Sequence, residues 1–263
     1  MTRWPQRVLL FWLLAPLLAP WLGGNPDAID LGNILDGPSQ QAWLGHDDLG
    51  RDILLRILSG AQVSLTVVLV VTLCTLSAGT AIGLLAGYFG GWPDRLLMQV
   101  TDVFLAFPGI LLAIAFAAVL GPGLDNLLLA LCLTSWVGYA RLTRAQALAL
   151  RHRQHVLAAR SLGASTFRIL HRHMLPMLAA PLLVEATYSM ASLVIAEASL
   201  SFLGLGMQAP HASWGAMLRD GVRYLLVAPH YVLAVGLSLM SLVLAVNQLG
   251  DTLRDYWDVK GHA

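Results

Sequence analysis

The residues of this sequence that could do chemistry are sparse, and none of them forms a familiar catalytic or nucleotide-binding pattern. Lys260 is the only lysine, and it lacks the Gly-x-x-x-x-Gly spacing with which a phosphate-binding loop presents its lysine. The Gly-x-Ser-x-Gly turn that exposes a nucleophilic serine is also missing from the sequence. We therefore predict that the chain is not an enzyme and that it holds no cofactor.

Histidines and cysteines give no metal-binding spacing. His171 and His173 are two residues apart, which places them on different sides of a helix. The other histidines flank the apolar runs, so neither a metal site nor bis-histidine haem ligation is predicted. Cys74 and Cys132 lie within apolar runs and are interpreted as small buried side chains.

The notable carboxylates within the apolar helices, where ionisable groups are functional candidates, are Asp102, Glu185 and Glu197. Asp102 and Glu185 lie near predicted helix ends, where solvation or pairing is expected. Glu197 precedes a Ser-rich turn, so it could make a structural hydrogen bond or contact substrate. The candidates for a substrate path or periplasmic gate are Asp48, Arg51, Asp52, Glu197, Ser199 and Ser201. The first three could equally face a binding protein or form a salt-bridged scaffold.

Composition indicates what must position these residues. Hydrophobic residues make up 57% of the 263-residue chain and charged residues only 12%, about half of the usual 25%. This excludes a soluble enzyme, a secreted disulfide scaffold and a disordered chain. The net charge of +1 gives no reason to expect a nucleic-acid partner. We predict an all-α polytopic membrane protein in contact with lipid.

The apolar runs predict six membrane-spanning helices, because about 20 apolar residues cross a bilayer. Pro108 is expected to kink or break the third. Their predicted bounds are 8–22, 62–88, 96–120, 124–144, 176–202 and 229–249. The domain boundaries are a first helix in 1–22, a periplasmic segment 23–60, a core 61–250 and a cytoplasmic tail 251–263. Within the core, 146–175 forms a cytoplasmic loop and 204–228 a periplasmic one.

Two further features refine this layout. Gly79, Gly83 and Gly87 recur at every fourth residue, which predicts a close helix–helix seam. The first apolar run could be a signal peptide, but it lacks a clear cleavage site, so an uncleaved helix is preferred. With both termini cytoplasmic, twelve of the sixteen basic residues fall on the cytoplasmic side, as the positive-inside rule requires.

Seven arginines lie between Arg141 and Arg172, in a chain otherwise short of charge. The pattern there is a small-residue helix broken at Gly163, an apolar stripe that includes Phe167, and a proline at 176. A short amphipathic element of this kind suits docking into a groove of a partner. Ordinary positive-inside bias is the alternative explanation of the charge.

Here the residues carry a family resemblance. The loop resembles the "EAA" loop of ATP-binding-cassette importer permeases through Ala158, Ala159, Gly163, Leu175 and Pro176, but Leu157 replaces its Glu and His173 its Ile. Residues 43–52, WLGHDDLGRD, resemble the WLGTDxxGRD segment of the dipeptide, oligopeptide, opine and nickel permeases. Residues 197–206, EASLSFLGLG, resemble that family's EAxLSFLGLG. The likeness runs from Trp43 nearly to the end of the chain.

The resemblance implies a type I permease in the bacterial inner membrane that forms half of a translocation pathway. It implies a homologous second permease, two ATPase subunits that bind ATP and Mg²⁺, and a periplasmic or lipid-anchored solute-binding protein. The EAA loop would couple the chain to the ATPase. The coupling residues that the match implies are Ala158, Ala159, Arg160, Gly163, Ala164, Phe167, Arg168, Leu175 and Pro176.

Other functions are less consistent with the sequence. An intramembrane hydrolase needs a buried Ser–His or paired-Asp arrangement, and a secondary transporter usually shows two repeated halves. Neither is found in the sequence. For cargo, peptides are the first expectation, and nickel or a metal–chelator complex is the alternative.

Overall fold

The computed structural model describes residues 4–18 and 24–261. Within these ranges the regular structure is helical, apart from one isolated antiparallel bridge between His46 and Asp52. A 3-10 turn spans Leu31–Asn33 and a π-helix spans Ile169–Met174. The helices are α1 (Trp4–Leu18), α2 (Ile53–Phe89), α3 (Gly91–Leu105), α4 (Gly109–Leu120), α5 (Leu124–Ser135), α6 (Val137–Leu150), α7 (Gln154–Ser161), α8 (Thr166–Arg168), α9 (Leu175–Phe202), α10 (Trp214–Val222) and α11 (Pro229–Gly261).

Among the described residues, three stretches are long and apolar enough to cross a membrane by themselves: Ile53–Phe89, Thr166–Phe202 and Pro229–Trp257. The pair α3 and α4 adds a fourth if its two helices, bent by 84°, form one span. The described part of α1 is 15 residues long, and the predicted end of this helix at 19–22 lies outside the described residues. The count of six spans and the orientation of the termini stay predictions.

Several helix bounds differ from the predicted ones for local reasons. Helix α2 begins at Ile53 because the Asp52 carboxylate accepts a hydrogen bond from the Leu55 amide at 3.0 Å and caps the helix there. The break after α3 falls just before Pro108, which has no amide to donate to the preceding turn. The predicted fourth helix is divided at Trp136, and α11 continues through the charged tail as far as Gly261.

The chain folds as two compact units. The first comprises Met1–Val70, Ile114–Ala130 and Met190–Leu249. Trp214 is fully buried in it and donates from its indole nitrogen to the Ile57 carbonyl at 2.9 Å. Trp12 packs edge-on against Trp214, with 4.8 Å between ring centroids, and donates to Ser241 Oγ at 2.8 Å. These contacts hold α1, α2, α10 and α11 together around one aromatic pair.

The second unit comprises Val71–Ala113, Leu131–Ser189 and Gly250–Ala263. Its glycine seam is confirmed, because α2 and α6 pack backbone against backbone there. A methyl group added at Gly79 would lie 2.5 Å from the Trp136 carbonyl oxygen, and one at Gly83 would lie 2.4 Å from the Ala140 oxygen. Only glycine fits at these two positions without separating the helices.

We expect Gly83→Ala to lower the thermal unfolding midpoint of the detergent-solubilised chain. The added methyl meets the backbone of α6, and overpacking of this kind costs roughly 1–3 kcal/mol or more. Gly236→Ala is the matched control, since nothing lies within 4 Å of a methyl group added at Gly236 in α11. An equal midpoint for the two variants would contradict the seam.

Candidate functional site

The arginine-rich loop folds back onto the second unit through its apolar residues. Helix α7 and the π-helix turn these side chains inward, where they join a buried cluster. The buried loop residues are Val156, Ala159, Ile169 and Met174, and they pack in this cluster with Leu150 and Leu178. The loop is therefore a packed element, so its exposed face is held in a fixed shape.

The corner of the loop is a Schellman motif, the standard glycine ending of a helix. The Ala164 amide donates to the Ala159 carbonyl and the Gly163 amide to the Arg160 carbonyl, both at 3.0 Å. Gly163 has a φ of +77°, a left-handed conformation that residues with a Cβ rarely adopt. Ser165 then caps the next helix. The chain therefore reverses direction at Gly163 with a defined backbone geometry.

The outer face of the corner carries exposed apolar side chains among arginines. Leu162 is 88% exposed and Phe167 is 77% exposed. The Phe167 ring stacks on the His171 ring, with 5.8 Å between their centroids. Arg160 and Arg168 are exposed beside them. We call Arg160, Leu162, Gly163, Phe167 and Arg168 the corner face. Its exposed apolar side chains are typical of an interaction site.

The predicted coupling residues divide between this face and the packed interior. Ala158, Arg160, Gly163, Phe167, Arg168 and Pro176 are exposed, Ala164 and Leu175 are half-buried, and Ala159 is buried. Leu162 was missed by sequence reasoning. The signal in the sequence was its position directly before a helix-ending glycine, because a residue there lies on the outer side of the turn.

We expect Gly163→Val to reduce ATP-driven uptake by the assembled importer about tenfold or more, while the amount of inserted chain stays unchanged. Valine at this left-handed position costs of the order of 1–2 kcal/mol, which favours opening of the corner. Gly163→Asn is the control, because asparagine tolerates this conformation and free space surrounds the site. Equal losses in both variants would show that side-chain volume matters and backbone conformation does not.

The polar segment before α2 is organised around one buried carboxylate. Asp47 is fully buried and accepts from the amides of Leu49 and Arg51, both at 2.9 Å. The Arg51 Nε donates to it at 2.7 Å, and the Arg56 Nε lies 3.3 Å from the same oxygen. Both guanidinium groups are almost entirely buried. This group, the Asp47 cluster, supports the scaffold interpretation of the segment.

Two of the predicted candidates sit at the edge of this cluster. Asp48 Oδ1 is 3.7 Å from an Arg51 guanidinium nitrogen, and Asp52 caps α2. Burial raises the pKa of the Asp48 carboxyl, and the neighbouring charges of Asp47 and Asp220 raise this pKa further. The negative charge of Asp48 is thus poorly accommodated, whereas that of Asp47 is fully paired.

Arg56 extends the cluster to two other segments. Its Nη1 lies 3.1 Å from Asp27 Oδ1 and 3.4 Å from the carbonyl oxygens of Pro26 and Pro210. Sequence reasoning did not single out Arg56 or Asp27. The signal was an arginine in the first turn of an apolar helix, because such a charge requires buried partners.

Glu197 is fully buried and bound on both sides by hydroxyl groups. Ser64 Oγ donates to its Oε2 at 2.8 Å, and Ser201 Oγ donates to its Oε1 at 2.9 Å. Ser199, predicted to share the site, is half-buried and donates to the carbonyl of Ile195 in its own helix. The geometry therefore joins Glu197 to Ser201 and to Ser64, which was not predicted, and separates Ser199 from them.

Asp102 pairs with Arg141, as pairing near a helix end predicted. The distance from Arg141 Nη2 to Asp102 Oδ1 is 2.7 Å, and both side chains are more than half exposed. In water such a pair contributes at most about 1 kcal/mol. Asp102 is therefore better explained as a charge that is tolerated near the end of a helix than as a functional residue.

Comparison with known proteins agrees with this architecture. The family described as "Binding-protein-dependent transport system inner membrane component" matches residues 79–255. The chain is 42% identical to the dipeptide transport system permease protein DppC of Alkalihalophilus pseudofirmus, over 96% of this chain and 84% of that protein. It is 43% identical to the glutathione transport system permease protein GsiD of Pectobacterium atrosepticum, over 96% and 82%. The corresponding protein of Escherichia coli O6:K15:H31 is 45% identical, over 94% and 81%.

A solved structure shows the same fold. A chain of the MetNI methionine ABC transporter, in an inward-facing conformation, superposes with a TM-score of 0.60 at 22% identity, covering 77% of this chain and 95% of that one. The fold is thus that of a type I importer permease. Like its relatives, the chain is a transport subunit of the inner membrane and not an enzyme. It belongs to the family of binding-protein-dependent transport system inner membrane components, the permeases of ATP-binding-cassette importers.

Proposed function

We propose that this chain forms one half of the translocation pathway of an importer for short peptides. The observation that carries the proposal is the identity of 42–45% to permeases of dipeptide and glutathione systems over nearly the whole chain. Glutathione is itself a tripeptide, so the relatives share one class of cargo. The nickel or metal-chelator alternative gains no support from these relatives.

The partners follow from the same proposal. A homologous second permease completes the pathway, and two ATPase subunits supply the ATP and Mg²⁺ sites that this chain's sequence lacks. A periplasmic or lipid-anchored solute-binding protein delivers the peptide. Segment 23–60 and loop 204–228 would face that protein, and loop 146–175 would face the ATPase, in the orientation that the basic residues favour.

The corner face is the part of the chain that we assign to the ATPase. Leu162 and Phe167 are too exposed to stabilise the isolated subunit. Burying them in a groove of a partner would remove their apolar surface from water and so stabilise the complex. Arg160 and Arg168 flank them and would favour a groove rimmed by carboxylates. The Schellman corner fixes these side chains, so nucleotide-driven movement of the ATPase could pass to α9 through the packed π-helix.

The proposal is tested by co-expressing the chain with its neighbouring genes and reconstituting the purified product into liposomes. We expect a complex with a sister permease and two ATPase chains, which accumulates a labelled tripeptide only with ATP and the solute-binding protein. A stable, active single-chain transporter would overturn the assignment. A complex that accumulates nickel, free or chelated, but no peptide would overturn the cargo.

A further inference from the structure

A cavity of about 410 Å³ lies within the second unit, between α6, α9 and the end of α11. Its size is in the range of small-molecule sites. Charged and aromatic side chains line it together with apolar ones. Among the lining residues are Leu142, Pro181, Glu185, Tyr188, Arg254 and Trp257. None of the roles assigned above to the corner face or the Asp47 cluster uses this cavity.

Glu185, on α9, is one of the two charged residues that line this cavity. It forms no ion pair with any residue that the structure describes, although it lies in an apolar helix, where an unpaired charge is costly. A methyl group added at Gly138 would lie 3.3 Å from Glu185 Oε1, so the carboxylate packs closely against α6 at this glycine and a Cβ there would crowd it. A half-buried carboxyl group at the wall of a cavity is a group to which a cation can bind.

The opposite charge lines the same cavity. Arg254 donates to the Tyr188 hydroxyl, which in turn donates to Asp251 Oδ1 at 2.7 Å. The guanidinium has five N–H donors, so it can contact a carboxylate in addition to these partners. Arg254 therefore lies on the Tyr188 side of the cavity, which Glu185 also lines.

Trp257 and Tyr188 complete the lining with aromatic surface. Aromatic faces attract an ammonium group and also pack against apolar side chains. A molecule that carries an ammonium, a carboxylate and small side chains would satisfy every kind of group in the cavity. Peptides with free ends have this composition, whereas hydrated metal ions and neutral sugars do not.

We propose that this cavity binds short peptides with free termini, with the peptide ammonium at Glu185 and its carboxylate at Arg254. The inference rests on the proposed peptide function and deepens it. The basic residues place this end of α9 and α11 on the cytoplasmic side, so the site would hold cargo at the exit end of the pathway. Glu185 and Arg254 would then act as binding residues for imported peptide.

The test measures peptide binding to the permease–ATPase complex in nanodiscs, without its solute-binding protein. The probe is trialanine, compared with N-acetyl-trialanine, which lacks the ammonium, and with trialanine amide, which lacks the carboxylate. We expect both blocked peptides to bind about tenfold more weakly or worse than trialanine, because each loses a charge-assisted hydrogen bond. Glu185→Gln should weaken trialanine by a similar factor and leave the affinity of N-acetyl-trialanine unchanged.

Two further variants check the geometry. Arg254→Gln should weaken trialanine but not trialanine amide, and Gly138→Ala should weaken trialanine by crowding Glu185. Thermal unfolding midpoints show whether each variant is folded. Because glutamine has nearly the same shape as glutamate, Glu185→Gln still tests the proposal if Arg254→Gln or Gly138→Ala does not fold. Equal affinity of Glu185→Gln and the unsubstituted chain for trialanine would overturn the proposal. Tight binding of N-acetyl-trialanine by the unsubstituted chain would do the same.

The outcome is separable from that of the proposed function. If the unsubstituted importer takes up peptide but trialanine binding does not depend on Glu185, the cavity is misassigned and the cargo stands. If the importer takes up no peptide at all, the cargo itself is wrong, whatever the cavity binds.

Discussion

Phe167→Asp is expected to abolish ATP-driven transport while leaving the permease folded and inserted. Phe167 is 77% exposed, so the substitution should change the stability of the isolated chain by no more than about 0.5 kcal/mol. In the complex, an apolar anchor at the centre of an interface is worth about 2 kcal/mol or more. We expect at least a roughly 30-fold loss of ATPase affinity, measured by retention of the ATPase on the immobilised permease.

Two controls isolate the position and the chemistry of this change. Phe167→Leu keeps the apolar contact and should retain most of the ATPase. Leu226→Asp introduces the same charge at a residue that is 98% exposed, in the loop predicted on the other side of the membrane, and should leave ATPase binding unchanged. Normal ATPase retention by Phe167→Asp would remove the corner face from the coupling interface.

Asp47→Asn is expected to cause the largest loss of stability. It leaves the buried guanidinium groups of Arg51 and Arg56 without their shared carboxylate, and removing one member of a buried ion pair costs about 3–5 kcal/mol. Whichever way the Asn amide is turned, its NH2 group faces a donor, either the Arg51 Nε or the backbone amides of Leu49 and Arg51. We expect a clearly lower thermal unfolding midpoint in detergent and little mature protein in the membrane.

Asp48→Asn is the neighbouring control. Because the raised pKa of Asp48 means that its charged form fits the fold poorly, neutralising it should leave stability at neutral pH unchanged or slightly higher. Protonation of Asp48 favours the folded chain below the ordinary pKa of the group, and this contribution is lost as the pH rises through the raised value. A destabilisation of Asp48→Asn equal to that of Asp47→Asn would contradict the cluster geometry.

The sequence predicted a structural feature correctly where one physical requirement determines which residue type can occupy a position. The four-residue spacing of Gly79, Gly83 and Gly87 predicted the seam, because close backbone approach excludes side chains whatever the partner helix is. The helix break at Pro108 followed equally from the missing amide. Gly163 was recognised from its place at the end of a small-residue helix, where a left-handed residue is needed.

The sequence could not predict which side chains pair when they lie far apart along the chain. Ser64 binds Glu197 from 133 positions away, and no local pattern distinguishes it from the other hydroxyl residues of α2. Arg56 and Asp27 pair in the same way over 29 positions. The extension of α11 through the charged tail was also missed, because its polar residues obey helical spacing while ending the apolar signal by which the helix was recognised.

The central claim, that this permease is driven by an ATPase docked on the corner face, is tested most directly by site-specific photo-crosslinking from position 162. Leu162 is 88% exposed, so a variant with benzoylphenylalanine at this position should fold normally. Its photo-reactive side chain should contact the partner that covers the corner face. In membranes that contain the whole importer, we predict one crosslinked product, identified by mass spectrometry as a chain with the Gly-x-x-x-x-Gly-Lys-Ser/Thr motif. Crosslinks to lipid, to the second permease or to the solute-binding protein, with none to the ATPase, would contradict the account.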